Sequence, residues 1–390
     1  MKKIKNENQI LIMLAFFSIS VGLWGNFRQL WLQDNNFAVT NISNILSIGT
    51  FISVIIIGLI GKYVKLDRLK NTLVIVLLVK LVNMFWLYFL NRTGPVELIR
   101  LSIIIDIVTE YIIITSTYPL ITTIVKTGTI YSKRRLTEYL FRDIGILFGG
   151  VFIGKSIAGL FVNYNACLLI ANIFLLFSLL VLLNIKVTNS ANIDEYKEIS
   201  SKYIFKDKLL ILYLIYTLIG TIAMSTALGL KMLTLTNYFQ FSDSVATNYL
   251  LIIGLLADVF GIIALKYLTP KNDYLTVTIK FGIRFLGYVI AFISNSIMIT
   301  LIAITWSIFI STAYENICDA VYINRLENKY QLSFSNICHI IRFLGEAIGV
   351  FLCGIMYEIG LRYMFGLSAL FMIFQISIAY YMIYLRKRET

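Results

Sequence analysis

The strongest constraint on this chain is a succession of unbroken apolar runs of bilayer length. A run of about 20 apolar residues crosses the hydrocarbon core of a membrane as one helix. Twelve such runs are readable, at roughly 9–33, 42–61, 71–90, 98–125, 138–161, 165–186, 208–236, 245–267, 274–294, 297–323, 335–358 and 363–385. They are continuous rather than alternating, which argues for helices and against a strand barrel. The first follows Met1, Lys2 and Lys3 and is too long for a signal-peptide core of roughly 7–15 residues, so it is read as a retained span. The expected fold class is an all-α polytopic membrane protein with twelve transmembrane helices.

Composition agrees. Hydrophobic residues make up 58% of the 390 residues and charged residues 14%, against about 25% charged in an ordinary soluble domain. The net charge of +13 would suggest a nucleic-acid partner in a soluble protein. Here it sorts by loop, so the partner is read as the lipid bilayer and not nucleic acid. Lys2, Lys3 and Lys5 precede span 1. Lys62, Lys65, Arg68 and Lys70 follow span 2, and Lys126, Lys133, Arg134 and Arg135 follow span 4. Lys197, Lys202, Lys206 and Lys208 lie between spans 6 and 7, and Arg386, Lys387 and Arg388 close the chain. The alternate loops are poor in cations, apart from Arg92, Arg100 and Arg362. The positive-inside bias places both termini in the cytoplasm, as an even span count also requires, and the expected location is the cell membrane.

Cys167, Cys318, Cys338 and Cys353 lack metal-type spacing, and His339 is the single histidine. A multi-histidine metal site within the chain is thereby excluded. There is no Gly-Lys-Ser/Thr phosphate loop and no Ser or Cys with a credible base beside it. No cofactor and no enzymatic activity are expected.

A weak repeat divides the chain. Arg142, Gly145, Gly149 and Gly154 recur as Arg342, Gly345, Gly349 and Gly354, each displaced by 200 positions. Lys62–Tyr63 recur as Lys266–Tyr267 and Lys80 as Arg284, displaced by 204. The polar stretch between the two series reads as a linker. The expected organisation is a six-helix bundle over 1–186, a cytoplasmic linker over 187–207 and a second, pseudo-symmetric six-helix bundle over 208–390, a known transporter plan. The glycines at every fourth position read first as sites of close helix packing.

Twelve spans as six plus six, a charged central loop and a basic loop after span 2 resemble the major facilitator superfamily over essentially the whole chain. The family's loop between helices 2 and 3 carries Gly, then Asp-Arg, then Gly-Arg-Arg. This chain has Gly58, Gly61, Lys62 and Tyr63, then Lys65, Asp67, Arg68 and Lys70, with Lys62 where the family has an acidic residue. The stretch around Gly145, Gly149 and Gly154 resembles the family's antiporter motif in helix 5, with Gly150 in place of its Pro and Ile153 in place of a Gly. The resemblance implies a monomeric secondary transporter of a small solute, working by alternating access, and the antiporter motif favours export. A membrane-embedded enzyme acting on lipid-linked substrates and a sensor that no longer moves solute are the competing readings.

Charges inside spans are expensive and mark candidate sites. Arg28 lies in span 1 and Lys231 at nearly the same depth in span 7. Asp106 and Glu110 are four apart on span 4, Asp258 lies in span 8, and Glu315 and Asp319 lie in span 10. In the resembled family, helices 1, 4, 7 and 10 line the cavity. That implies Arg28 and Lys231 as solute-binding cations, with Asn26 and Gln29 as polar neighbours. It implies Asp106, Glu110 and Glu315, with Asp258 next, as proton carriers, so that protons join the solute as partners. The alternative is plain ion pairing, of Arg28 with Asp106 and of Arg342 with Glu315 or Asp319. Trp24 and Trp31 also flank Arg28 and offer an aromatic wall to the same pocket, but for Trp31 the reading as an outer-interface anchor is preferred. Lys80 and Arg284, on helices peripheral in the family, are expected to be snorkelling or structural.

Overall fold

The computed structural model of the protein describes residues 6–25, 27–64, 68–90, 94–124, 141–148, 164–185, 207–267, 281–307, 309 and 328–389. These are helical apart from short turns, with no strand among the described residues. In chain order the helices are α1 (Asn6–Gly25), α2 (Arg28–Asp34), α3 (Val39–Tyr63), α4 (Leu69–Leu90), α5 (Val96–Ile124), α6 (141–148) and α7 (Tyr164–Asn184). They continue as α8 (Lys208–Leu228), α9 (Asp243–Tyr267), α10 (Ile283–Ile293), α11 (Ile297–Ser307), α12 (Asn328–Ile359) and α13 (Leu361–Glu389). Seven described segments are long and apolar enough to cross a membrane, and each of the twelve apolar runs contains a helix. The outward residues of α4 include Ile75, Val82, Phe85, Trp86 and Phe89, all more than half exposed. Large apolar side chains on the outside suit a protein whose solvent on that face is lipid.

Two compact units divide the chain. The first comprises Met1–Ala38, Ile48–Asp194 and Gln240–Leu251; the second comprises Val39–Ser47, Glu195–Phe239 and Ile252–Thr390. In the first, α1 packs on α7, and α4 packs on both α5 and α7. Small residues and backbone carbonyls make these contacts. A Cβ on Gly145 would collide with the Ile19 carbonyl, and one on Gly22 with the Arg142 carbonyl, so α6 crosses α1 at backbone contact. Ser178 Oγ donates to the Met13 carbonyl at 3.0 Å, and Lys70 Nζ caps the end of α7 through the Ile185 carbonyl at 2.6 Å.

In the second unit, α8 packs on α12 and α13, and α10 packs on α13. The side chain of Asp207 caps α8 by accepting from the Leu209 amide at 2.9 Å. Gly345 lies against the Leu218 carbonyl and Gly349 against Ile222 and Ser225, so α12 meets α8 as α6 meets α1. Gly354 abuts Ser43 at the start of α3, and Ser47 Oγ donates to the Ala347 carbonyl at 2.8 Å. Gly149 and Gly154 lie outside the described residues.

Two of the apolar runs are not single helices. The first breaks between Gly25 and Arg28, and the seventh breaks at Gly229 and Leu230, immediately before Lys231. Leu230 has φ −113° and ψ 38°, outside the helical region. Glycine costs about 1 kcal/mol in a helix interior, so it is a natural place for the path to change. Gly25 and Gly229 are displaced by the same 204 positions as Lys80 and Arg284. After its break, the seventh run turns into a π-helical stretch, Thr234–Tyr238. That stretch is tied to α12: Asn237 donates to the Tyr357 hydroxyl at 3.1 Å, Tyr357 donates to the Leu233 carbonyl at 3.2 Å, and Tyr238 donates to the Tyr357 carbonyl at 2.9 Å.

Candidate functional site

The first unit holds a buried cluster of four charges. Arg28 opens α2, just beyond the break in the first run. Asp106 and Glu110 project from one face of α5, one helical turn apart. Lys80 comes from α4. The buried residues of α4 include Leu73, Leu77, Lys80, Met84 and Leu87, which form one stripe at helical spacing, and Lys80 sits in its middle.

The ion pairs are short. One guanidinium nitrogen of Arg28, Nη2, lies 2.8 Å from Asp106 Oδ2 and 2.6 Å from Glu110 Oε2. Lys80 Nζ lies 2.5 Å from Asp106 Oδ1 and 3.7 Å from Glu110 Oε2. It also donates to the Asp106 backbone carbonyl at 3.0 Å. Trp24, on α1, donates its indole N–H to Asp106 Oδ2 at 2.9 Å. The Asp106 side chain is 0% exposed, that of Lys80 1%, of Arg28 8% and of Glu110 14%. Removing an ion from water costs several kcal/mol, and pairing repays this only when geometry is good and the remaining lone pairs are satisfied. Asp106 meets that condition, with Lys80, Arg28 and Trp24 around it. Glu110 is held chiefly by Arg28 and reaches the surface.

Trp24 and Trp31 stack edge to face, with ring centroids 5.7 Å apart. Trp31 is 1% exposed, so it is a buried wall beside the cluster and not an interface anchor. Its position three residues after Arg28 puts both on one face of α2. Gln29 is half-buried on the next position, and Asn26 lies outside the described residues.

Of the site residues expected from sequence, the structure brings Arg28, Asp106 and Glu110 together in the first unit. Lys231 belongs to the second, half-buried beside the break in its own run. Asp258 lies within α9, but its side chain and all of Glu315 are outside the described residues, as is Asp319. Arg342 and Glu346 are half-buried on α12.

Lys80 and Arg284 correct the expectation of snorkelling. Lys80 is buried at the centre of the cluster, because its helix turns that stripe inward against α5. Arg284 is 5% exposed, and its Nε lies 3.3 Å from the Tyr288 hydroxyl one turn on. The sequence does not single out this stripe, because α4 is as apolar on its outward face, at Ile75, Val82 and Phe85.

The described residues, helical in two units with breaks in the first and seventh runs and buried charges on the fourth, have the fold of membrane transporters of known structure. No protein-family model matches the sequence. No curated protein matches it either. Solved structures match over nearly the whole chain. The nucleoside transporter NupG is 14% identical, with 98% of this chain and 100% of that chain covered and a TM-score of 0.68. A bacterial homologue of the human lysosomal transporter Spinster, in an inward-facing and occupied conformation, is 11% identical over 96% of each chain, with a TM-score of 0.72. A D-xylose–proton symporter is 12% identical over 93% of this chain and 95% of that chain, with a TM-score of 0.67. These are transporters and not enzymes, and at such identities the likeness concerns the fold.

Proposed function

We propose that this protein is a secondary active transporter that carries a small solute across the cell membrane by alternating access, coupled to protons. The observation that carries this reading is the four-charge cluster: two carboxylates and two cations buried inside a membrane unit, beside a broken helix. Such charges are rarely retained in a membrane segment without a task. Discontinuous helices next to buried charge recur where transporters bind solutes and ions. The fold supports the reading, since structures sharing it include a nucleoside transporter and a D-xylose–proton symporter.

In this reading the candidate solute-binding residues are Arg28, with Gln29 and Asn26 beside it in the sequence, and Lys231. Glu110 carries the coupling, with Asp106 paired beside it and with Glu315 and Asp258 as further candidate carriers. The protein works as a monomer with both termini in the cytoplasm. The test is flux. Purified protein in proteoliposomes should accumulate or expel solutes when a pH gradient is imposed. Nucleosides, pentoses and organic anions are the first three groups to try. Glu110→Gln should uncouple that movement from the gradient. If no group moves in either direction, with or without the gradient, the transporter reading fails.

A further inference from the structure

Counting charges in the cluster leads to the class of solute and to the number of protons that accompany it. Arg28 and Lys80 contribute two positive charges, Asp106 and Glu110 two negative, and the cluster is neutral as it stands. Two donors beside it are unused. Among the described residues, neither Arg28 Nε nor Trp31 Nε1 has a hydrogen-bond partner, although both atoms are buried. A buried donor without a partner is costly, by about 1–3 kcal/mol and more when charged. Both are donors and both lie on one face of α2, so the group that would complete them is an acceptor with two oxygens. Both ion pairs of Arg28 use Nη2, which leaves Nε for such a group.

An added anion would leave the cluster with one excess negative charge in a low-dielectric surrounding. One carboxylate must then be neutralised. Asp106 is unsuited to that role. It is fully buried, and Lys80, Arg28 and Trp24 all aim donors at it, so a proton there would displace one of them. Glu110 is suited. Arg28 on α2 faces it at 2.6 Å and Lys80 on α4 at 3.7 Å. Asp106 and Tyr111 are the ionisable neighbours on its own helix, and its side chain is the most exposed of the four.

We propose that this cluster binds one carboxylate group of the solute and takes up one proton with it. The carboxylate is held by Arg28 and the Trp31 indole, and the proton converts Glu110 to its neutral acid, which releases its share of Arg28 to the incoming anion. One negative charge enters, one is cancelled, and the cluster stays neutral. A phosphate monoester carries about −1.5 to −2 charges near neutrality and would need more than one proton, so the count selects the carboxylate. The inference rests on the transporter reading only in taking the cluster as the solute-facing site.

The experiment is isothermal titration of the detergent-purified protein with three probes: benzoate, phenyl phosphate and the neutral isostere benzamide. Repeating each titration in buffers of different ionisation heat gives the protons exchanged per ligand. Benzoate should bind at mildly acidic pH with uptake of about one proton, and its affinity should fall as pH rises. Benzamide should bind far more weakly, and tighter binding of phenyl phosphate than of benzoate would overturn the charge count. Glu110→Gln should bind benzoate with no proton uptake and little pH dependence. Trp31→Phe keeps the ring and removes the donor; it should lower benzoate affinity about tenfold while leaving the proton count unchanged. Failure of the folded wild type to bind benzoate, binding without proton uptake, or equal binding of benzamide would each overturn the proposal, and none depends on a variant folding. The assay involves no flux. Benzoate-linked proton uptake without transport in vesicles would remove the transporter reading and keep this one, and transport without proton-linked benzoate binding would do the reverse.

Discussion

Lys80 is the residue whose removal should be felt most. Its ammonium is buried against Asp106, and deleting one charge of a buried pair typically costs about 3–5 kcal/mol; here Arg28 alone would be left to balance both Asp106 and Glu110. Lys80→Met should therefore lower the thermal stability of the purified protein sharply. Lys80→Met combined with Asp106→Asn should recover much of the loss, since Arg28 and Glu110 then balance. A double variant no more stable than the single one would show that Lys80 contributes through packing rather than charge. Glu110 should also differ from its surroundings in transport assays. Glu110→Gln should weaken the dependence of transport on the proton gradient more than it weakens solute binding. If this variant keeps full gradient-driven transport, the proton carrier is elsewhere, and Glu315 or Asp258 is next. Lys231→Gln should weaken binding of an anionic solute, with Lys231→Arg retaining part of it. Equal binding of a purely cationic solute by wild type and Lys231→Gln would argue against an anion-selective site.

Between elements, the contacts run through glycine. Gly145 on α6 and Gly345 on α12 each sit where any side chain would strike a backbone carbonyl of the helix opposite, α1 and α8 respectively. Gly145→Leu and Gly345→Leu should force those helices apart and impair transport, with little loss of inserted protein, because insertion depends on the apolarity of each span and not on its neighbours. Gly58 on α3 is an internal control: nothing lies within 4 Å of a Cβ built there, so Gly58→Leu should be tolerated. Uptake by vesicles with matched protein content would compare the three. Equal activity in all of them would mean that backbone contact at α1–α6 and α8–α12 is dispensable. The broken runs belong to the same scale. An apolar run shows where a chain crosses the membrane, but not whether the helix within it is continuous. Gly25 and Gly229 lie inside apolar sequence, and only the backbone, in the helix bounds at Gly25 and Arg28 and the dihedrals of Leu230, shows the breaks there.

For the whole molecule, the distribution of cations sets the orientation. Reporter fusions after Lys202 and after Thr390 should both report cytoplasm, because the basic loops alternate with basic-poor ones along the chain. An external report at either position would overturn the twelve-span arrangement. The division into bundles at 1–186 and 208–390 is a proposal on the same footing. Separately expressed halves that assemble on co-expression would support it, and halves that never associate would count against it.

The sequence by itself determined the class of molecule. Apolar runs of bilayer length admit few structures other than membrane helices, and their number and spacing predicted a six-plus-six transporter fold, which the solved structures then matched. It also placed Arg28, Asp106 and Glu110 as candidates, because a charge inside an apolar run stands out against its neighbours. It offered the Arg28–Asp106 pair as an alternative, and that pair forms; what it could not decide was that Lys80 and Trp24 join it. Lys80 and Asp106 are 26 positions apart, and Trp24 and Asp106 are 82 apart. Their contact depends on which stripe of α4 and which face of α1 turn inward, and that is settled by the packing of whole helices. Trp31 was misjudged for the same reason. An indole near the end of an apolar run looks the same in sequence whether it faces a headgroup or another tryptophan, and only the neighbouring helices decide between the two.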